Sequence, residues 1–332
     1  MSAGTIPLLD VRGLRVYVHT KDGTVRAVDG ASFKIERGEA LGLVGESGSG
    51  KSMTCQAIMQ IEPRPAAVIE EGEVLLDGED LLKKSARDMQ RVRGNRIGMI
   101  LQDPLSSLNP VMTIGDQLIE ALRLSDKTSK RSQLRQQAIV ALERVGIAKA
   151  DQRVHAYPFE FSGGMRQRVA AAIAIARYPD LLIADEPTSA LDVTTQHRFL
   201  ELLKDLKRER GMSLLLVTHD LGVVAGTCDR VAVMYGGRVV EIGKLEQILR
   251  QPRHPYTRAL LKAVPQFHGR RLERLFQISG EPPNNREDLP GCHFAPRCSE
   301  VDQRCDAEYP PTVHYDDASC TACWRLVPED ET

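Results

Sequence analysis

The octapeptide Gly45-Glu46-Ser47-Gly48-Ser49-Gly50-Lys51-Ser52 constrains this chain more than any other stretch. It follows a short apolar run, Ala40–Val44, and leads into a helical pattern marked by Met53, Ala57, Ile58 and Ile61. Strand, glycine-rich loop and helix, in that order, build an anion cradle. The glycines let the backbone turn tightly with its N–H groups inward, and the helix N-terminus adds the positive end of a dipole. A second Ser-Gly-Gly turn, within Phe161-Ser162-Gly163-Gly164-Met165-Arg166-Gln167-Arg168, opens another helical pattern. Two such elements in one chain imply that two copies share phosphate-bearing ligands, each supplying half of a site.

A chain of 332 residues, 42% hydrophobic, has room for one large domain with an appendage or for two domains. Its 44 Lys and Arg balance 45 Asp and Glu, for a net charge of −1, so electrostatics give no case for a nucleic-acid partner. No apolar run nears the roughly 18 residues that a membrane span requires. The longest lies near Val169–Ala176. The N-terminus lacks a basic stretch followed by an apolar one, so no signal peptide is read and a cytosolic chain is expected, linked to any membrane through partners.

Alternation predicts strands over Leu8–Val18 and Ala27–Ile35, with a turn at Lys21-Asp22-Gly23. Further strands are expected at Glu73–Leu76, Ile97–Leu101, Leu181–Ala184 and Ser213–Thr218. Val231–Tyr235 and Arg238–Ile242 read as a hairpin around Gly236-Gly237. Residues Met112 to Ala176 read as mostly helical, with Lys127–Arg135 a solvated face. Beyond about Pro252 the composition shifts to prolines, paired asparagines and five of the seven cysteines, which places a domain boundary there.

The chemistry follows from position. Lys51 is placed to reach β- and γ-phosphates and the Ser52 hydroxyl to ligate Mg2+. A buried strand delivers Asp185 to the same Mg2+ shell, and Glu186 beside it can polarise an attacking water as general base. His219 ends the following strand, where it can contact a γ-phosphate. Gln102 ends the Ile97–Leu101 strand, where it can reach Mg2+ and water. Taken singly, each of these last two is a weak signal.

Together, these residues resemble the ATPase subunit of an ATP-binding cassette (ABC) protein, over roughly residues 8–250. Gly45–Ser52 matches its Walker A motif, Gln102 its Q-loop and Phe161–Met165 its signature. Asp185 and Glu186 match Walker B and the catalytic glutamate, Ser189-Ala190-Leu191-Asp192 the D-loop, and His219 the switch histidine. The resemblance implies an α/β P-loop NTPase cassette: a mixed sheet core with an antiparallel β-subdomain and a helical signature subdomain at about 103–178, within a nucleotide-binding domain of residues 1–251. It implies ATP and Mg2+ as ligands, with Gly45, Glu46, Ser47, Gly48, Ser49, Gly50, Lys51 and Ser52 cradling phosphates. Ser52, Gln102 and Asp185 would hold Mg2+. Lys51, Gln102, Glu186 and His219 would act in catalysis. Ser162, Gly163 and Gly164 would meet the γ-phosphate held by the other cassette. An aromatic residue stacks on adenine in this family, and Tyr17 is the residue available, although the usual pattern places it at Val18. Phe161 and Met165 depart from the commonest signature and leave its Ser-Gly-Gly intact. Asp103–Val111 corresponds to the loop that meets the membrane subunit, with Leu105 and Leu108 as apolar contacts.

The tail, residues 252–332, resembles the small cysteine-containing extension of oligopeptide/dipeptide importer ATPases, through Arg253–Leu261 and Leu289–Cys298. Four thiolates from Cys292, Cys298, Cys305 and either Cys320 or Cys323 suit Zn2+ or an iron–sulfur cluster. The resemblance implies a 4Fe-4S cluster on Cys292, Cys298, Cys305 and Cys323, the last preceding Trp324, and a role in stapling a segment poor in apolar residues. Cys55 and Cys228 read as packing residues. The implied function is ATP hydrolysis energising import of di- and oligopeptides. The implied partners are a second homologous ATPase subunit in a heterodimer, two transmembrane permease subunits and an extracytoplasmic peptide-binding protein, with this chain peripheral at the cytoplasmic face of the inner membrane. Nickel chelates, glutathione and oligosaccharides are alternative cargoes. A soluble ABC ATPase working on nucleic acid is a further alternative, disfavoured by the single cassette, the balanced charge and the lack of a long coiled coil.

Overall fold

Among the described residues the strands are β1 (Leu9–Thr20), β2 (Gly23–Ile35), β3 (Ala40–Val44), β4 (Ala67–Leu76), β5 (Glu79–Asp80), β6 (Ile97–Ile100), β7 (Leu181–Asp185), β8 (Ser213–Thr218), β9 (Arg230–Tyr235), β10 (Arg238–Lys244), β11 (Thr312–Asp316) and β12 (Ser319–Ala322). The structure is a computed structural model, describing residues 6–103, 107–124, 128–189, 191–264, 276–316 and 318–328. Leu105 of the expected docking loop, Ala190 of the D-loop and Lys127 of the charged run lie outside the described residues. The chain packs as two compact units: residues 1–35, 41–82 and 218–332 form one, and 36–40 and 83–217 the other.

In the first unit β2, β1, β4 and β5 form an antiparallel sheet in that order. β1 and β2 run longer than their alternation indicates and turn over Lys21 and Asp22, where Thr20 Oγ1 donates to the Gly23 carbonyl at 2.7 Å. Leu9, Val11, Leu14 and Val16 of β1 are buried. Gly72, at φ 109°, passes so close to β1 that a Cβ there would lie 2.6 Å from Leu14 Cα. The same unit carries the array β11-β12-β10-β9-β3. β3 and β9 are parallel, with Val44 opposite Val233, whereas β9 and β10 form the expected antiparallel hairpin.

The tail differs from the loop-rich, apolar-poor segment that its composition indicates. It supplies two strands: β12 pairs with β10 through Glu241–Thr321 and Ile242–Cys320, and β11 pairs with β12. It also supplies Phe294, whose ring centre lies 5.2 Å from Tyr235 and 5.4 Å from Tyr256. Those two tyrosines are themselves 4.4 Å apart and fully buried. Such an aromatic group removes a large apolar area from water with few residues, so the segment has a core of its own kind.

In the second unit β8, β7 and β6 lie side by side and parallel. Every residue of β7 and β8 is buried, as their unbroken apolar runs require of a parallel sheet covered on both faces. The helix Gly163–Ile175 lies directly on β6. A Cβ on Gly98 would come within 2.3 Å of the Ala174 carbonyl, so glycine sets that approach. The unit also carries the helices Ile114–Arg123, Arg131–Arg144 and Val193–Arg210. Thr113 and Asp192 cap the first and third through their side-chain oxygens, at 3.1 and 3.0 Å from the Asp116 and Thr195 amides. Leu108, expected as an apolar docking contact, is only 3% exposed, so its side chain is packed within the described structure.

Tail and sheet meet at a buried polar joint. Glu241 of β10 accepts from the Arg253 and His254 amides at 2.8 and 3.0 Å. His254 Nδ1 then accepts from the Tyr256 amide at 3.1 Å, capping the helix Pro255–Ala263. His254 is fully buried, and burial depresses its pKa from the ordinary 6.5 to about 3. The unfolded chain therefore binds the extra proton first. Stability from this group is complete above 6.5 and declines as pH falls from there toward about 3. His254→Asn keeps a capping acceptor but takes no proton. The pH dependence of the thermal unfolding midpoint between pH 7 and pH 5 is expected to be shallower in this variant.

Candidate functional site

The phosphate loop is shaped by two close backbone approaches. Gly45 sits against the end of β9, where a Cβ would lie 2.1 Å from the Met234 carbonyl. Gly50, at φ 102°, sits against β2, where a Cβ would lie 2.2 Å from the Ala27 carbonyl. Gly50 is also the N-cap of the helix Lys51–Met59, so the loop delivers that helix's unpaired N–H groups to one point. Lys51, 4% exposed, folds its ammonium back over the loop. It donates to the Gly45 and Glu46 carbonyls at 2.8 and 2.9 Å and to Ser49 Oγ at 3.4 Å. Ser52 stands in the first turn of the same helix.

In the second unit, β7 ends on buried Asp185, with half-buried Glu186 at its tip. Glu186 has φ 43°, a left-handed conformation rare for a residue with a side chain and costing on the order of 1–3 kcal/mol. Its amide donates to the Val217 carbonyl at 2.9 Å, which holds the strained turn in place. Gln102, just past β6, donates from Nε2 to Glu186 Oε2 at 3.0 Å. The structure thus joins two side chains that stand 84 residues apart in sequence. The signature serine, Ser162, caps the helix Gly163–Ile175 by accepting from the Met165 amide at 3.4 Å. Ser162, Gly163 and Gly164 line a shallow depression together with Arg168, Asp192 and Arg198. Gly164 must be small, because a Cβ there would meet Thr195 Cγ2 at 2.7 Å. His219 follows β8, with Asp220 capping the short helix Leu221–Ala225.

Tyr17 is tied into a polar group that the sequence did not reveal. Its hydroxyl donates to Asp29 Oδ1 at 3.1 Å, and the Arg26 guanidinium lies 5.7 Å from its ring centre. Burial acts against the Asp29 charge, but Arg238, donating at 2.8 Å, and Tyr17 outweigh it and hold the carboxyl below the usual range. Four tail thiols, Cys292, Cys298, Cys305 and Cys323, line one cavity with Phe294 and Trp324. Cys320 is not among its lining residues; it faces Ile242 in the β10–β12 pairing. Burial pushes the Cys292 thiol up to about 11, with the neighbouring thiols adding to the shift. Burial likewise raises Cys298, Cys305 and Cys323. Among the described residues no three His, Cys, Asp or Glu side chains group closely enough to hold one metal ion. Cys55 and Cys228 are buried packing residues.

Sequence reasoning missed the residues that grip the phosphate loop from the tail. Arg297 pairs with Glu46, Tyr256 Oη accepts from the Glu46 amide at 2.9 Å, and Asn285 Nδ2 approaches the Gly48 carbonyl at 3.5 Å. No local periodicity marks such partners; the shift to Asn and Pro near 284 was the nearest available signal.

A glycine loop between a parallel strand and a helix, with an acidic strand end in a parallel sheet, defines a P-loop nucleotide hydrolase. The family profile described as "ABC transporter" matches residues 28–189, and that described as "Oligopeptide/dipeptide transporter, C-terminal region" matches residues 240–305. The chain is 47% identical to "Oligopeptide transport ATP-binding protein OppD" of Bacillus subtilis over 97% of its own length and 90% of that protein's. It is 46% identical to "Dipeptide transport ATP-binding protein DppD" of the same organism, over 96% and 94% respectively. Among solved structures it resembles a dimeric ATP-binding cassette in a post-hydrolysis state bound to ADP and Pi, with a TM-score of 0.64 and 26% identity, over 71% of this chain and 98% of that one. The chain belongs to the ABC transporter ATPases, in their oligopeptide/dipeptide importer branch. It is accordingly an ATPase. No helix among the described residues is long and apolar enough to cross a membrane.

The two close approaches yield a graded prediction. Gly50→Ala drives its new Cβ into the Ala27 backbone carbonyl, and is expected to weaken ATP binding about tenfold or more. Gly48→Ala, with φ 79° and nothing within 4 Å of the added Cβ, is expected to cost less. Titration of each variant with ATP checks the order.

Proposed function

We propose that this chain binds and hydrolyses ATP to energise import of di- and oligopeptides through a membrane ABC transporter. The reading is carried by the Gln102–Glu186 hydrogen bond, which fixes the carboxylate at the tip of β7. In this reading Gly45–Ser52 holds the phosphates and Lys51 neutralises charge between the β- and γ-groups. Ser52, Asp185 and Gln102 supply oxygen ligands of the kind Mg2+ takes, and the ion when bound offsets charge on the transferring phosphoryl group. Glu186 accepts the proton of the attacking water, Gln102 orients that carboxylate, and His219 contacts the γ-phosphate. Ser162, Gly163 and Gly164 present a helix N-terminus to the nucleotide of a partner cassette. Tyr17 offers its ring to the adenine. Residues 1–251 form the cassette and 252–332 the extension.

The partners in this reading are a second, homologous ATPase subunit, two permease subunits and an extracytoplasmic peptide-binding protein, with no nucleic acid. The chain then sits peripherally on the cytoplasmic face of the inner membrane. Peptide names on both relatives and the match to the tail profile favour a peptide cargo.

We also propose that Cys292, Cys298, Cys305 and Cys323 hold a 4Fe-4S cluster. The reading is supported by the shared lining of one cavity by these four thiols, a donor set that suits an iron–sulfur group. When bound, the cluster supplies a covalent cross-link among tail segments.

Two experiments test the reading. Glu186→Gln is expected to bind ATP normally while losing at least about a hundredfold in hydrolysis, and Lys51→Ala to lose tight binding. A Glu186→Gln protein that turns over at the wild-type rate would remove the general-base role. Anaerobic purification is expected to give a brown protein with about four irons per chain. That iron should be lost in Cys323→Ser and kept in Cys320→Ser; a colourless, iron-free wild type refutes the cluster.

A further inference from the structure

Glu46, the second residue of the phosphate loop, is held from the tail by a two-pronged ion pair. Arg297 donates from Nη1 to Glu46 Oε2 at 2.7 Å and from Nη2 to Oε1 at 3.2 Å. The Arg297 side chain is 5% exposed and that of Glu46 25%. The guanidinium is itself fixed on every side. Nη1 also donates to Tyr235 Oη at 3.1 Å, Nε to the Ser279 carbonyl at 3.0 Å, and Nη2 to the Ile278 carbonyl at 3.3 Å. Around it the loop backbone is pinned at further points. Tyr256 Oη accepts from the Glu46 amide, and the Gly237 amide donates to the Ser49 carbonyl at 3.0 Å.

Two physical effects follow, and they have the same sign. A loop this rich in glycine has many conformations to lose on closing round a phosphate, and a loop already fixed loses fewer. A carboxylate inside a triphosphate cradle repels its ligand unless a cation compensates it, and compensation by a planar, bidentate guanidinium is strong. We propose that Arg297 is a positioning residue for the phosphate loop: it neutralises Glu46 and fixes Gly45–Ser52 in the shape that accepts a nucleoside triphosphate. Arg297 touches no reacting atom in this arrangement and acts through Glu46. The proposal rests on the reading of Gly45–Ser52 as the nucleotide's phosphate loop and deepens it.

The test uses the full chain in its assembled transporter, with MgATP as the probe. Arg297→Met is expected to raise KM for ATP about tenfold with kcat at saturation nearly unchanged, as befits loss of a bidentate charge-assisted pair. Arg297→Lys keeps the charge but not the fork, and is expected to raise KM about threefold. Adding Glu46→Gln to Arg297→Met is expected to restore part of the affinity, because the uncompensated carboxylate is then gone. A purely structural role for Arg297 would instead make the two changes additive or worse. Wild-type KM in Arg297→Met, or no rescue in the double variant, overturns the proposal. If Arg297→Met does not fold, Arg297→Lys with a wild-type KM overturns it equally. Lys51→Ala separates the two readings. Unchanged ATP affinity in Lys51→Ala refutes the phosphate-loop assignment itself, whereas lost affinity there beside an unshifted Arg297→Met refutes the positioning role alone.

Discussion

The phosphate loop runs where a side chain has no room. Backbone carbonyls of Ala27 and Met234 stand where the Cβ atoms of Gly50 and Gly45 would be, so β2 and β9 together mould the loop. Everything else in the first unit answers to that constraint. β3 must end at Val44 and the next helix must begin at Lys51, since the path between is set by contact on both sides. The hairpin turn at Gly236-Gly237 must keep the end of β9 in place, and Asp29 with Arg238 joins β2 to β10 by a partly buried ion pair at 2.8 Å. Removing Arg238 would leave the Asp29 carboxylate buried without its cation, so this pair bears on the loop without touching it.

Much of this was legible in the sequence where the signal was local. The loop, the acidic end of β7, the β9–β10 hairpin and the Ser162 helix start each carry their spacing within a dozen residues. Buried parallel strands showed as unbroken apolar runs. The tail was not legible in the same way. Its strands β11 and β12 are short, β11 is largely exposed, and β12 pairs with β10, some 80 residues earlier in the chain. The aromatic group of Tyr235, Tyr256 and Phe294 is likewise scattered along the sequence and assembles only in three dimensions. Leu108 looked like a surface contact because prolines surround it, whereas packing has claimed it. The positive φ at Glu186 is invisible to any residue pattern, since it is imposed by the turn leaving β7.

The tail also separates two ways of holding a segment together. Its aromatic group, its pairing with β10 and the Glu241 joint all exist without reference to any metal. A cluster on the four thiols would therefore reinforce a segment that already has packing, in contrast to small metal domains whose fold is the metal site. The short turn Ala295–Arg297 places the two concerns side by side, with Arg297 facing Glu46 and Cys298 facing the thiol cavity.

The ion pair between Glu46 and Arg297 spans 251 residues of sequence. During synthesis at about 5–20 residues per second, the arginine leaves the ribosome about 13–50 s after the loop it fixes. A growing chain therefore carries the phosphate loop long before it carries the clasp. With Arg297 as the clasp, nascent chains and truncated products that stop before the Ala295–Arg297 turn would hold ATP loosely, and the order of translation would delay nucleotide capture until most of the subunit is made.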